Sequence, residues 1–243
     1  MYYRDYFWFL GAILICMIFS AYASGKVKST FRKYDKTRAR LGLTGADTAL
    51  RLMRANGVYD ISLGSVKGFL TDHYHPAKSI VNLSESTYGN SSVAAVAVAA
   101  HEIGHVMQKK DGYALYRLRT ALVPVVNAGT WLAMPLVLVG LLLDWVYFTA
   151  NESLGFYIAM LGVILYGGSL VFALVTLPVE LNASRRAQKM LVSEGIITAE
   201  ELPAAKEVLS AAALTYLASL LTSLVYFLRF LFYVLSIFGR RND

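Results

Sequence analysis

A single cysteine, Cys16, is all that 243 residues contain, which excludes an internal disulfide framework and any cysteine-rich zinc module. Charge is scarce as well: 16% of residues are Asp, Glu, Lys or Arg, against roughly 25% in an average soluble protein. The apolar share is 56% and the mean hydropathy +0.50, which excludes a disordered, collagen-like or nucleic-acid-binding tail protein. The chain also lacks internal repeats and low-complexity segments.

What it has instead is long apolar runs. Tyr6–Ala23, Ala121–Leu143, Leu154–Leu177 and Ala211–Phe238 are each long enough to cross about 30 Å of hydrocarbon, which takes about 20 helical residues. The first three carry no charge. The fourth contains Arg229, which must pair, snorkel or face protein, so this run reads as a span, as two shorter pieces or as an interfacial helix. Ala21-Tyr22-Ala23 has the form of a signal-peptidase site, but Lys26, Lys28, Arg32, Lys33, Lys36, Arg38 and Arg40 follow at once and resist translocation. The first run is therefore read as a retained anchor with its N-terminus outside.

The charges orient the rest. Residues 25–120 hold fifteen Lys/Arg against seven Asp/Glu, a net +8, whereas the link after the second run holds only Asp144 and Glu152. An excess of cations on the cytoplasmic side places 25–120 and 178–210 inside and 144–153 outside, with Arg240 and Arg241 ending outside. The expected organisation is an anchor at 1–24, a cytoplasmic segment at 25–120, a transmembrane hairpin at 121–177, a second cytoplasmic segment at 178–210 and a transmembrane or interfacial helix at 211–243. The basic excess is thus a signal of topology and of a lipid bilayer nearby, not of nucleic acid. Val27, Phe31 and Tyr34 fall at helical spacing among the first cations, so 26–40 is read either as an amphipathic helix on anionic lipid or as a solvated linker.

Within the cytoplasmic part, Thr44–Asn56 reads as a short helix stopped by Gly57. Val66–Tyr74 and Ser79–Ser84 read as strands joined by a turn at His75-Pro76-Ala77-Lys78. Asn90-Ser91-Ser92 offers an N-cap for an alanine- and valine-rich helix running to about Gln108, and Thr198-Ala199-Glu200-Glu201 has the form of a capping box.

That alanine-rich helix contains His101-Glu102-Ile103-Gly104-His105, with half of the chain's four histidines in five residues. Imidazoles at i and i+4 project from one helical face and can share one cation. Glu102 flanks them, placed to take a proton from water and deliver it to a leaving amine. Zinc suits this pattern, because it accepts imidazole and carboxylate and brings the pKa of a water it holds toward 7. The plainer alternative is a pair of hydrogen-bonded core histidines.

A catalytic zinc normally takes three protein ligands. Gln108 and Asp111 stand where a metzincin would need glycine and histidine, so that class is excluded. Asp111 is too close in sequence to fold back, Asp144 and Glu152 are assigned to the far side, and Glu194, Glu200, Glu201 and Glu207 belong to a polar stretch. Glu180 remains, two residues after Pro178; its alternative is a lone glutamate paired with Arg185 or Arg186. Ser184, one turn on, is positioned to hydrogen-bond a ligand or the motif helix. Asp72-His73-Tyr74-His75 could form a second metal site or a plain polar turn. A substrate-side role is preferred, with a strand pairing an extended peptide and Tyr74 or His73 facing an oxyanion.

Gly68-Phe69-Leu70-Thr71-Asp72-His73-Tyr74, the run Val96–His105 and the run Leu177–Ala187 resemble, in order and spacing, the putative neutral zinc metallopeptidases of the YugP-like membrane family. The chain is also similar, at greater distance, to HtpX-like gluzincins. The resemblance implies a multi-pass zinc peptidase of the bacterial inner membrane. Glu180-Leu181-Asn182-Ala183-Ser184 matches the Glu-x-x-Ala-Asp pattern of those relatives with serine in the aspartate position, which implies Glu180 as third ligand.

The expectation is a mainly α integral membrane protein of about four membrane helices, with a small α+β zincin-like portion made of a β-hairpin and the histidine helix. One zinc would be held by His101, His105 and Glu180, and Glu102 would act as general base in peptide-bond hydrolysis at the cytoplasmic face. Ser184, Asp72, His73 and Tyr74 would serve beside them, on peptide or protein substrates that include membrane proteins. The alternative is a non-catalytic, zinc-stabilised adaptor or holdase whose fourth ligand, His73 or His75, leaves no position for water.

Overall fold

The computed structural model describes residues 2–146 and 154–239; Glu152, Arg240 and Arg241, assigned above to the outside, lie beyond the described residues. In chain order the elements are α1 (Tyr2–Asp35), α2 (Gly45–Ala55), β1 (Ser62–Val66), β2 (His73–His75), β3 (Ile80–Ser84), α3 (Val93–Lys110), α4 (Ala114–Val146), α5 (Leu154–Ser193) and α6 (Leu202–Gly239). Over the described residues the protein is mainly helical, with one small sheet.

Helices α1, α4, α5 and α6 are each long and apolar enough to cross a membrane, and only 6% to 28% of their most apolar windows is buried by protein. Surface of that kind needs an apolar medium, which is the bilayer. Each helix also continues past the apolar run that announces it. The fourth run is one unbroken helix, with the Arg229 guanidinium 5.1 Å from the ring centre of Phe9 and 5.6 Å from that of Tyr233. Helix α1 is likewise unbroken across Ala21-Tyr22-Ala23.

The chain divides into two compact units. One comprises residues 1–20, 118–177 and 217–243, and its described residues are helix against helix. There α4 and α5 approach through small residues: a Cβ built on Gly140 would lie 2.5 Å from the Gly155 carbonyl oxygen, and one on Gly162 would lie 2.6 Å from that of Ala133. Phe156 and Phe238 (ring centres 5.2 Å apart) and the stacked Tyr166 and Phe230 (5.0 Å) fill the remaining space.

The second unit comprises residues 21–117 and 178–216 and is built around α3. Buried on nearly every side and free of charge until Glu102, this helix behaves as a core element, with Ser92 accepting from the Ala95 N–H as its N-cap. Leu52, Val81, Leu83, Leu191 and Ile196 pack in one cluster with its Ile103. Helix α2 starts with a capping box between Thr44 and Asp47 and ends at Asn56, followed by Gly57 at φ 62°. Thr198 and Glu201 exchange the reciprocal bonds of a second box ahead of α6.

Two expectations are corrected here. Residues 66–74 are not one strand. Strand β2 spans His73–His75 and pairs antiparallel with β3 (Tyr74 opposite Val81), while the unanticipated β1 pairs parallel with the other edge of β3. Between β1 and β2 the chain is a loop with Gly68 at φ 113° and Leu70 at φ 57°. A left-handed conformation at a bulky residue costs about 1–3 kcal/mol and persists only where its surroundings impose it. Here Ser86 Oγ takes the Leu70 N–H, and Ser84 holds both oxygens of Asp72 at 2.8 Å. The second correction concerns residues 26–35, which continue α1 instead of forming a separate linker and turn Phe31 into protein instead of lipid. Helix α1 runs on to Asp35, and Phe31 is 1% exposed, edge-on to Phe69 at 5.3 Å.

A close helix contact in this unit lies where α3 crosses α5. A Cβ on Gly104 would stand 2.5 Å from the Ala183 carbonyl oxygen and 3.2 Å from its Cα, backbone atoms that move only if the helices separate. Gly104→Ala is therefore expected to destabilise the protein by about 1–3 kcal/mol, the usual cost of overpacking, read as a lower midpoint in chemical unfolding of the detergent-solubilised chain. An unchanged midpoint would contradict the crossing.

Candidate metal centre

The crossing brings together side chains 79 residues apart. His101 and His105 project from one face of α3 with ring centres 4.8 Å apart. Both Nε2 atoms lie 3.2 Å from one and the same oxygen, Oε2 of Glu180 on α5. Glu180 and His105 are buried, and His101 is the more open of the three. This is the one group of three or more potential metal ligands found among the described residues, with one donor atom from each residue within 4.8 Å of the others.

The hydrogen bonds behind the donors say what the group is made to hold. Gln108 Nε2 donates to the Val179 carbonyl (2.7 Å) and to Asn182 Oδ1 (3.0 Å), which fixes its amide so that Oε1 faces His105 Nδ1 at 3.0 Å. A carbonyl oxygen only accepts, so His105 carries its proton on Nδ1. In the neutral ring Nε2 then presents a bare lone pair to a carboxylate oxygen. Two lone pairs at 3.2 Å attract only through a cation between them. A proton on His105 Nε2 as well would make that ring an imidazolium in a buried site, whereas one divalent ion serves all three donors. Tetrahedral zinc with ligands at about 2.0–2.1 Å spaces its donors about 3.3 Å apart, close to both observed separations. The donor set therefore fits zinc.

His101 Nδ1 lies 3.1 Å from Ser184 Oγ, which can accept its proton and leave Nε2 free to ligate. Glu102 is buried beside them. Burial pushes its carboxyl up to about 7, reinforced by the carboxylates of Glu180 and Asp72 and opposed by His101 and by the N–H that the Tyr74 backbone donates to it. Glu102, His101 and Asp72 line one cavity.

The other candidates are placed differently. His73 is held by the Thr71 carbonyl (2.9 Å) and Asn82 (3.1 Å), and His75 Nδ1 accepts from the Lys78 N–H. Neither belongs to the metal-ligand group, so no fourth protein ligand closes it among the described residues. Tyr74 reaches the site through its main chain; its ring centre lies 5.9 Å from Lys109 Nζ, with the hydroxyl buried and without a hydrogen-bond partner among the described residues. Arg186, considered above as a partner of Glu180, pairs with Asp111 and donates to Asn182 Oδ1 at 2.8 Å.

Gln108, Asn182 and Gly104 went unrecognised in the sequence as parts of the site. Gln108 carried a usable signal, since i+3 from His105 puts it on the ligand face.

The class defined by this geometry is a helical membrane protein with a His-His-Glu donor cluster fit for zinc. The chain belongs to the family described as "Putative neutral zinc metallopeptidase", whose model matches residues 9–235. A relative from Bacillus subtilis (strain 168), "Putative membrane protease YugP", is 45% identical over 217 residues, 89% of this chain and 92% of its own. No solved structure matches the chain.

Gln108→Leu removes the acceptor that sets the His105 tautomer. Zinc affinity is expected to fall about 10–100-fold, measured by competition with a chromophoric chelator. Unaltered affinity would show that Gln108 does not orient the ligand.

Proposed function

We propose that this chain is a zinc-dependent endopeptidase of the gluzincin type, with a zincin-like cytoplasmic portion that hydrolyses peptide bonds at the inner face of a bacterial plasma membrane. His101, His105 and Glu180 hold the ion. Zinc, when bound, supplies a Lewis acid that lowers the pKa of a water it holds and polarises a peptide carbonyl. Ser184 and Gln108 keep the two imidazoles turned to the ion. Glu102 takes the proton of the attacking water and passes it to the departing amine. Burial suits Glu102 to that transfer, because desolvation makes its carboxylate a stronger base than an exposed one. The edge strand β2, whose Tyr74 N–H orients Glu102, offers an extended substrate a strand to pair with.

The observation that carries this reading is the shared approach of both Nε2 atoms to one Glu180 oxygen, with the His105 proton committed to Gln108. Membership of a zinc metallopeptidase family supports the reaction type. The cytoplasmic assignment rests on the fifteen Lys/Arg of residues 25–120, which keep the histidine helix and residues 178–210 inside.

In full-length protein purified in detergent, Glu102→Gln is expected to keep its zinc and to lose about 10²–10⁴ in the rate of casein hydrolysis, the usual cost of removing a general base. Undiminished cleavage in that variant would refute the role of Glu102.

A further inference from the structure

The cavity that His101 and Glu102 line has a volume of about 370 Å³, within the range of about 300–1,000 Å³ found for ligand pockets. Away from the two site residues its wall is chiefly apolar. Val27 and Phe31 come from α1, Phe69 and Leu70 from the loop before β2, and Val208 and Leu209 from α6. Asp72 also faces it, with both carboxylate oxygens occupied by Ser84, and the exposed Lys28 is the one cation among the lining residues. The wall is held in place at a cost: Leu70 adopts a left-handed conformation beside Phe69, and its N–H is tied to Ser86. Strain kept at a cavity wall next to reacting groups points to a shape that function requires.

We propose that this cavity is a specificity subsite for one bulky apolar side chain, leucine- or phenylalanine-like, on the substrate residue that flanks the bond to be cut. The proposal rests on the peptidase reading and names the substrate class for that same site. The cavity opens on the residue that would hold the ion and the residue that would move the proton, so a carbonyl seated between them sends a neighbouring side chain into it. The Asp72 carboxylate in the wall repels an acidic side chain, and the wall leaves a glycine residue with nothing to bury.

The test uses the full-length, zinc-loaded protein and three amino-acid hydroxamates, which bind zinc through the same group and differ only in side chain. Affinities are read by calorimetry, so no turnover is needed. The leucine compound is expected to bind at least about tenfold more tightly than the glycine and aspartate compounds. Ala212 lies on α6 in the cavity wall, and Ala212→Phe, which fills the space, should bring the leucine-to-glycine ratio close to 1. Phe69→Ala, at a more exposed position in the loop, should lower the same ratio and serves if the first variant fails to hold zinc. Equal affinities in the wild type, or a ratio that neither variant alters, would overturn the subsite while leaving the zinc-site reading intact. A wild type that takes up no zinc would overturn both.

Discussion

The close crossing of α3 and α5 is the constraint on which the candidate centre depends. With no side chain at Gly104, the Ala183 backbone comes near enough for a carboxylate on one helix to meet two imidazoles on the other. Gln108 then ties the helices again, from the Val179 carbonyl on α5 to the His105 ring on α3. One contact thus sets both the distance between the donors and the direction in which their lone pairs face. Neither helix could offer this alone, because a single helical face supplies the i, i+4 pair and no third ligand opposite to it.

Burial does the rest. Helix α3 is enclosed on nearly all sides, so the charges it carries late in its length have few places to face. Glu102 is left between Glu180 and Asp72 with one N–H bond from Tyr74, and a carboxyl so placed is held near neutrality instead of deep in the carboxylate range. The small sheet has a supporting part. Strand β3 fixes the edge that supplies the Tyr74 N–H, and Ser84 at its end fixes Asp72 in the wall of the cavity. The loop between β1 and β2 accepts backbone strain so that Phe69 and Leu70 face the same space.

Much of this was legible in the sequence because it is local. Apolar runs long enough to span, the cap offered by Asn90-Ser91-Ser92, the Gly57 stop and the His-Glu-x-x-His word are short-range patterns. The hairpin turn expected at His75-Pro76-Ala77-Lys78 was equally plain, although His75 itself belongs to β2. What was not legible depends on partners distant in sequence. Ser62–Val66 contains a glycine and two serines and pairs in parallel, so neither composition nor a hairpin turn marks it as a strand. Phe31 reads as one apolar residue in a basic stretch until Phe69 is seen against it. Gly104 is an unremarked member of a motif until Ala183 is placed 79 residues away, and Gln108 is an ordinary helix-terminal amide until its acceptor on α5 is known.

The central claim is that α3 and α5 together form a centre for one zinc ion, and the bound metal itself tests it most directly. Elemental analysis of the detergent-purified chain, wild type beside Glu180→Ala, requires no substrate. The account predicts about one zinc per chain in the wild type, lost or strongly weakened in the variant, because two imidazoles alone make an incomplete site. A wild type that stays metal-free after zinc is supplied, or a variant that holds zinc as firmly as the wild type, would contradict it.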